Sequence, residues 1–221
     1  MTQRLSGLSD EEATGVAAEI FSASTRFLGR TANLQRILAS HAPYLARWML
    51  GLTASVRQPG LGASVEPRLR ALATIKTSMT NGCEYCTAHT SMYGEALGLT
   101  AQELEAMTGD GWKESPAFSD RDKAVIQWSE AMTLNTARFD GPAWDDMKRL
   151  FSEAEIVEIS LASAMFNMIN RLNDSFRTEL ETEEYNRRQG RAVSGLSIEE
   201  IEDYAARFPI AGDASRREAA E

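Results

Sequence analysis

Leu99-Thr100-Ala101-Gln102-Glu103-Leu104 is the pattern whose reading decides the fold. An apolar residue precedes a hydroxyl residue, and an acid follows three positions later. At a helix start the hydroxyl accepts from the N3 backbone N–H, while a Glu at N3 reaches back to the cap. The pattern recurs at Leu8-Ser9 with Glu12, Phe118-Ser119 with Asp122, Phe151-Ser152 with Glu155 and Leu196-Ser197 with Glu200. Asp122 is a shorter, poorer version of the returning acid. The leading apolar residue can staple against N4, a place that Leu104, Ile156 and Ile201 fit and Lys123 does not. Five such starts in one chain predict an all-α protein.

Outward from these starts, no alternating run bounded by tight-turn residues predicts a strand. The one Asn-Gly, Asn81-Gly82, opens a helical pattern instead. Gly and Pro fall between the periodic segments, at Pro59-Gly60-Leu61-Gly62, Gly109-Asp110-Gly111, Pro116 and Gly141-Pro142. The periodicity predicts helices over 9–28, 31–56, 65–79, 82–97, 100–108, 120–135, 142–150, 153–185 and 197–207. Ile156 to Ile169 is apolar over most of its circumference, with Glu158 its only formal charge. Such a helix belongs in the centre of a bundle or at a subunit interface. No low-complexity linker divides the chain, so a single compact domain of packed helical hairpins is expected. Within it we expect a helical extension over 1–40, a helical domain carrying the site over 41–185, and a C-terminal helix with a frayed tail over 186–221.

Composition narrows the partners. A formal net charge of −9 repels phosphate backbones and anionic lipid, so neither nucleic acid nor membrane is expected as a partner. No apolar run approaches the roughly 20 residues that span a bilayer, and Met1 to Glu12 lacks the apolar core of a signal peptide. A cytoplasmic location is the expectation that follows. Only two cysteines occur, three positions apart, which excludes a secreted disulfide scaffold.

Those two cysteines lie in Thr77-Ser78-Met79-Thr80-Asn81-Gly82-Cys83-Glu84-Tyr85-Cys86-Thr87-Ala88-His89-Thr90-Ser91. Cys83, Cys86 and His89 are each three apart, so on a helix they drift slowly along one face. Thr80 or Asn81 as the cap places Cys83 in the first turn, where free N–H groups and the macrodipole favour a thiolate. Cys86 lies about one turn from His89, within reach of an imidazole that takes the thiol proton directly or through water. Two sulfurs at this spacing can close a disulfide after oxidation. An activated thiolate, a base and a resolving thiol are what a peroxide-reducing dithiol needs. Zinc is the rival, since the same three residues could supply three ligands. The only other histidine is His41 and there is no third cysteine, so a closed site would recruit a carboxylate or a partner chain. The spacing within one helix favours the dithiol, with no metal and no cofactor.

Other residues carry milder expectations. His41, before Ala42-Pro43, reads as a surface or capping residue at a helix break. Tyr85 and Tyr93 are read as packing the helix, and Met92, Met165 and Met168 as filling core gaps. Asn167, Asn170, Asn173 and Asp174 either line a pocket opposite the cysteines or bond to neighbouring helix ends, and the second is the preferred reading.

The segment Asn81-Gly82-Cys83-Glu84-Tyr85-Cys86-Thr87-Ala88-His89 resembles the AhpD core of the carboxymuconolactone decarboxylase superfamily, and more narrowly its peroxidase-related members. Leu69-Arg70-Ala71-Leu72-Ala73-Thr74 and Phe166-Asn167-Met168-Ile169-Asn170-Arg171 are similar to the flanking helices, and the likeness covers roughly residues 40 to 180. The resemblance implies an all-α fold assembled as trimers or hexamers, with hydroperoxide reductase activity. It implies that Cys86 attacks the peroxide, that Cys83 resolves it and that His89 is the base. The family's histidine stands where this chain has Thr90, one residue after His89. Its relay glutamate stands twelve residues before Cys83, where this chain has Ala71, and Glu84, Glu66 and Glu158 are the candidates to replace it.

The function expected is therefore a thiol-dependent peroxidase acting on hydroperoxides, restored by an external dithiol or protein reductant. One alternative is a cofactor-free decarboxylase or lactone enzyme, against which the CxxC argues, because that chemistry needs acid–base groups rather than two thiols. The other is a redox-sensing or zinc-stabilised helical assembly.

Overall fold

The computed structural model describes residues 2–57, 63–182 and 197–206. Among them lie ten helices and no strand: α1 (Gly15–Leu28), α2 (Asn33–His41), α3 (Pro43–Arg57), α4 (Pro67–Asn81), α5 (Glu84–Ala96), α6 (Ala101–Met107), α7 (Asp120–Thr133), α8 (Pro142–Leu150), α9 (Glu153–Phe176) and α10 (Ile198–Ala206). The fold is all-α, as the caps predict.

All five hydroxyl–acid pairs close. At α6 the Glu103 N–H donates to Thr100 Oγ1 at 3.2 Å, and the Thr100 N–H donates to Glu103 Oε2 at 2.7 Å. The shorter Asp122 closes its box with Ser119 at 3.2 and 3.0 Å. Arg68 on α4 donates to both acids, at 2.6 Å to Glu103 and 3.3 Å to Asp122, and so ties α4 to the starts of α6 and α7. The Ser9–Glu12 box also forms, at 2.8 and 3.3 Å, but α1 begins only at Gly15, whose φ of 52° interrupts the predicted 9–28 helix.

Two further boundaries depart from the periodicity. The predicted helix over 31–56 is two helices parted at Ala42, whose φ −145°, ψ 60° is not helical. Pro43 lacks an N–H and crowds the residue before it out of the α region, so it begins α3 rather than continuing α2. The predicted helix over 153–185 stops at Phe176, where Arg177 turns left-handed (φ 51°, ψ 48°). Residues 178–182 leave the helix and cross back over the protein. The Pro59–Gly62 punctuation and the tail from Gly212 lie outside the described residues.

The central helix is α4, not the apolar stretch of α9. Every residue from Leu69 to Ser78 is buried, because α7, α9, α5 and α3 all pack on it. Its small side chains Ala71, Ala73, Thr74, Thr77 and Ser78 let four neighbours approach at once. Gly94 of α5 continues this close packing: a Cβ there would lie 2.7 Å from both Ile75 Cδ1 and Leu99 Cδ1. α9 instead buries one face, through Ile159, Ala162, Met165, Phe166 and Ile169, and leaves Val157, Leu161 and Met168 exposed. A second cluster (Ile20, Phe21, Phe27, Leu50 and Tyr204) joins α1, α3 and α10. Among the described residues no helix is long and apolar enough to cross a membrane.

Candidate active site

The α4–α5 turn places the cysteines. Gly82 takes φ 69° as the C-cap of α4, a conformation that costs glycine little, and its N–H donates to Met79 O while the Cys83 N–H donates to Ser78 O. Cys83 is then the N-cap of α5 rather than a first-turn residue, and Asn81 closes α4 instead of capping α5. Both thiols are free and buried. Cys83 has its pKa driven upward by a hydrogen bond to Cys86 first, then by burial, the Cys86 charge and Asp174. The macrodipole therefore does not make Cys83 the thiolate; Cys83 keeps its proton and directs it at Cys86. From α9, the Asn173 amide donates to Cys86 Sγ at 3.2 Å.

The histidine's partner comes from the far end of the chain. His89 Nε2 lies 2.8 Å from Glu181 Oε2, and Arg30 Nη1 lies 2.9 Å from the same oxygen. The other oxygen accepts from the Tyr85 hydroxyl at 2.7 Å and from the Asn33 N–H at 2.5 Å. Ala32, the N-cap of α2, makes no side-chain cap, and the Glu181 carboxylate sits at that helix start in its place. Burial foremost, with the charges of Arg30 and Arg57, pushes His89 down to about 4, against the pull of Glu181. Burial alone would raise Glu181, but the His89 bond, the Arg30 charge and the Asn33 N–H prevail and hold it at about 2. Burial and Glu181 together push Tyr85 up, so its phenol stays a donor. At neutral pH the imidazole is neutral beside a carboxylate; with Nε2–H donated to Glu181, Nδ1 is left as the proton-accepting nitrogen.

Cys86, His89 and Tyr85 open onto one cleft with about 580 Å³ of empty space, its mouth included. Its walls are mostly apolar, with Leu28, Leu34, Met49, Phe166 and Ile169 among them, and its polar groups include Arg30, Arg57 and Asn173. An apolar cleft with a few convergent polar groups and perturbed titrating residues is the usual shape of a small-molecule site.

Of the predicted site residues, Cys83, Cys86 and His89 come together, with Cys83 behind Cys86 in the same buried cluster. The expected replacements for the relay acid do not join them. Glu84 is exposed, Glu66 is a surface group 3.9 Å from Arg121, and Glu158 accepts from the Ser64 and Val65 N–H groups. Ala71 is core, with no exposure. Glu181 takes the place instead. Asn173 and Asp174 face the cysteines rather than helix ends, whereas Asn170 bonds to Phe166 O of its own helix and Asn167 to Thr133 and Asn81. Tyr85 supports the carboxylate, and Tyr93 donates to Arg57 O. His41 is a surface residue bonded to Ser6 O at 2.8 Å. Among the described residues no group of three His, Cys, Asp or Glu is arranged to hold a metal. Glu181 carries no local signal in the sequence, since Thr178-Glu179-Leu180-Glu181 is compatible with a continued helix.

Residues 43–131 match the carboxymuconolactone decarboxylase family. The uncharacterized protein YnjA of Escherichia coli (strain K12) is 23% identical over 132 residues, which are 60% of this chain and 69% of YnjA. The crystal structure of ATU0492 from Agrobacterium tumefaciens, described as a putative antioxidant defence protein AhpD, superposes with a TM-score of 0.59 at 26% identity, covering 66% of this chain and 96% of its own. The debrominase Bmp8, as a cysteine-to-alanine variant in complex with 2,3,4-tribromopyrrole, superposes with a TM-score of 0.70 at 20% identity, covering 91% of this chain and 98% of its own. The matched segment holds α4, α5 and all three predicted site residues, and with the likeness to ATU0492 it supports assignment to the carboxymuconolactone decarboxylase/AhpD-like superfamily.

Proposed function

We propose that this protein is a thiol-dependent peroxidase working through a Cys83–Cys86 dithiol–disulfide cycle. Likeness to the superfamily over residues 43–131 supports peroxidase-related or decarboxylase-like chemistry in general. The observation that carries the narrower reading is the Asn173 amide donating to Cys86 Sγ at 3.2 Å, with a protonated Cys83 on the same sulfur. Two donors aimed at one sulfur are placed to bond the negative charge it carries once its proton has left. The Cys86 proton passes to His89, and Glu181 stabilises the imidazolium that forms. The thiolate attacks the outer peroxide oxygen; the O–O bond breaks, Cys86 becomes a sulfenic acid, and the departing alkoxide takes the proton from His89 as an alcohol. Cys83 sulfur then attacks Cys86, the S–S bond forms, and the hydroxyl leaves with the Cys83 proton as water. An external dithiol restores both thiols by exchange.

Peroxide consumption with dithiothreitol as reductant tests this on wild type, Cys83→Ser, Cys86→Ser and His89→Ala. Wild type turns over; Cys86→Ser falls to background, a loss of about 10³-fold or more. Cys83→Ser gives a single stoichiometric oxidation, read as a sulfenic acid by mass spectrometry. An inert wild type, or three variants matching it, sinks the reading.

The likeness to Bmp8 over most of the chain, together with the apolar cleft, favours one second reading: reductive dehalogenation of a small aromatic halide. The dithiol would supply the two electrons, giving the dehalogenated ring, halide and a disulfide. Bromide release from 2,3,4-tribromopyrrole in the absence of peroxide turnover would establish it in place of the first.

A further inference from the structure

Arg57 is the charge that the dithiol machinery leaves over. It stands at the C-terminal end of α3, its guanidinium carbon 5.0 Å from the Tyr93 ring centroid and 5.3 Å from that of Phe166. The residue is 8% exposed and lines the same cleft as Cys86. Its Nε is buried without a hydrogen-bond partner. No carboxylate is among the described residues that line the cleft, and the neighbouring groups that weigh most on Arg57 are Tyr93, Arg30, Cys86 and Tyr85. The cleft's other guanidinium, Arg30, is matched by Glu181 at 2.9 Å.

A guanidinium taken out of water without a counter-ion is costly, and only part of that cost returns through the aromatic faces. Among the described residues that line the cleft, Arg30 is answered by Glu181 behind it, and no acid answers Arg57. Two anions could answer it: the Cys86 thiolate, or a group on the molecule that enters the cleft. A thiolate already receives the Asn173 amide and the Cys83 thiol, whereas the planar fork of an arginine suits a carboxylate, which it can hold through two parallel bonds.

We propose that Arg57 makes the cleft a site for a monoanionic, otherwise apolar molecule, the carboxylate resting on Arg57 and the apolar body lying against Leu28, Leu34, Met49 and Ile169. Combined with the dithiol reading, on which this last step rests, the substrate class is a hydroperoxide of a medium-chain or aromatic carboxylic acid. The anion site itself stands on Arg57 alone.

The test uses octanoate and octanol, titrated calorimetrically into the full chain carrying Cys83→Ser and Cys86→Ser, so that neither turnover nor a thiolate intervenes. Octanoate is expected to bind at least about tenfold tighter than octanol, the scale of hydrogen bonds to a charged group. Arg57→Gln should erase that preference and Arg57→Lys should keep part of it. Equal binding of the two probes overturns the proposal without need of any Arg57 variant, as does a preference that survives Arg57→Gln. The thiolate absorbance of the parent with cysteines intact gives a second arm. If Arg57→Gln raises the Cys86 titration and leaves the probe preference unchanged, Arg57 serves the sulfur alone and the proposal fails. An inert wild type in the peroxide assay would remove the dithiol reading and leave this result standing.

Discussion

The two parts of the candidate site are built by opposite means. One is α5, where Cys83, Cys86 and His89 are brought together by nothing more than a repeat of three on a helix. The other is the short segment 178–182, which lies behind the cleft and delivers Glu181 to a histidine 92 positions away. The first part depends on local geometry and would survive wherever α5 is helical. The second depends on four contacts: Gln3 and Glu179 bond reciprocally at 3.1 and 3.2 Å, the Asn33 amide donates to Glu179 O at 2.8 Å, and Arg4 N–H donates to Phe176 O at 2.8 Å. The cysteines are thus held by a helix, and the carboxylate that bonds to His89 is held by a strap.

Removing the strap's charge is the strongest way to break that division. Glu181→Gln leaves Arg30 buried without its counter-ion and His89 without a stabiliser for its cationic form. Losing one partner of a buried pair costs about 3–5 kcal/mol, so the melting temperature should fall on the order of 10 °C for a chain of this size. Turnover at a temperature where the variant is folded should fall about 10²-fold, the usual worth of a general base. Adding Arg30→Met removes the stranded charge and should recover part of the melting temperature without recovering turnover. If the double variant regains both, the carboxylate is only structural.

The asymmetry also explains what was legible. The five hydroxyl–acid pairs announce helix starts because capping is a contact over three residues, and all five close in the structure. The α5 triplet is legible for the same reason. Helix ends are harder to read, since Ala42 and Arg177 end their helices without a glycine; Pro43 signals the first, and nothing as plain signals the second. With α9 read through to 185, Glu181 is assigned to a helix and removed from consideration as a partner for His89. The buried Arg30 and Arg57 are likewise invisible, because a period describes one element and their meaning lies in what three elements enclose. Ala71 is informative in a negative way: its position fills the core of α4, so the acid has to come from elsewhere.

Acid offers a graded test of the two parts. His89 titrates near 4 against an ordinary 6.5, so from 6.5 down to 4 the unfolded chain holds a proton the folded one lacks, and stability falls as the pH falls. Glu181, held at about 2 against 4.5, has the same sign in a lower window, its contribution being lost as the pH falls from about 4.5 towards 2. Melting temperature followed by circular dichroism should therefore decline in two stages below pH 6.5. His89→Gln should flatten the upper stage and also shrink the lower one, because the His89 bond is among the contacts that hold Glu181 low; a profile unchanged by that variant would mean the histidine is not the group titrating there.

The smallest effect falls at the hinge where helix becomes strap. Arg177 at φ 51° and Asn135 at φ 60° are the non-glycine residues with positive φ among those described. A left-handed conformation costs most L-residues about 1–2 kcal/mol, and asparagine visits it more readily because its side chain bonds locally. Glycine removes that strain but loses more entropy on folding, by roughly 0.4–1 kcal/mol. The balance for Arg177→Gly is a gain of about 0.5 kcal/mol, or one to two degrees in melting temperature, whereas Asn135→Gly should be neutral or slightly unfavourable. Both ends are closed by backbone bonds that glycine keeps, Arg177 N–H to Asp174 O and Asn135 N–H to Met132 O. Because the turn at 177 is already fixed by those bonds and by the Thr178 N–H on Asn173 O at 3.0 Å, easing its strain should leave turnover unchanged. A drop in turnover on Arg177→Gly would mean instead that the arginine's own rigidity holds Glu181 against His89, and that the strap's position is set at its hinge rather than by its contacts to Gln3 and Asn33.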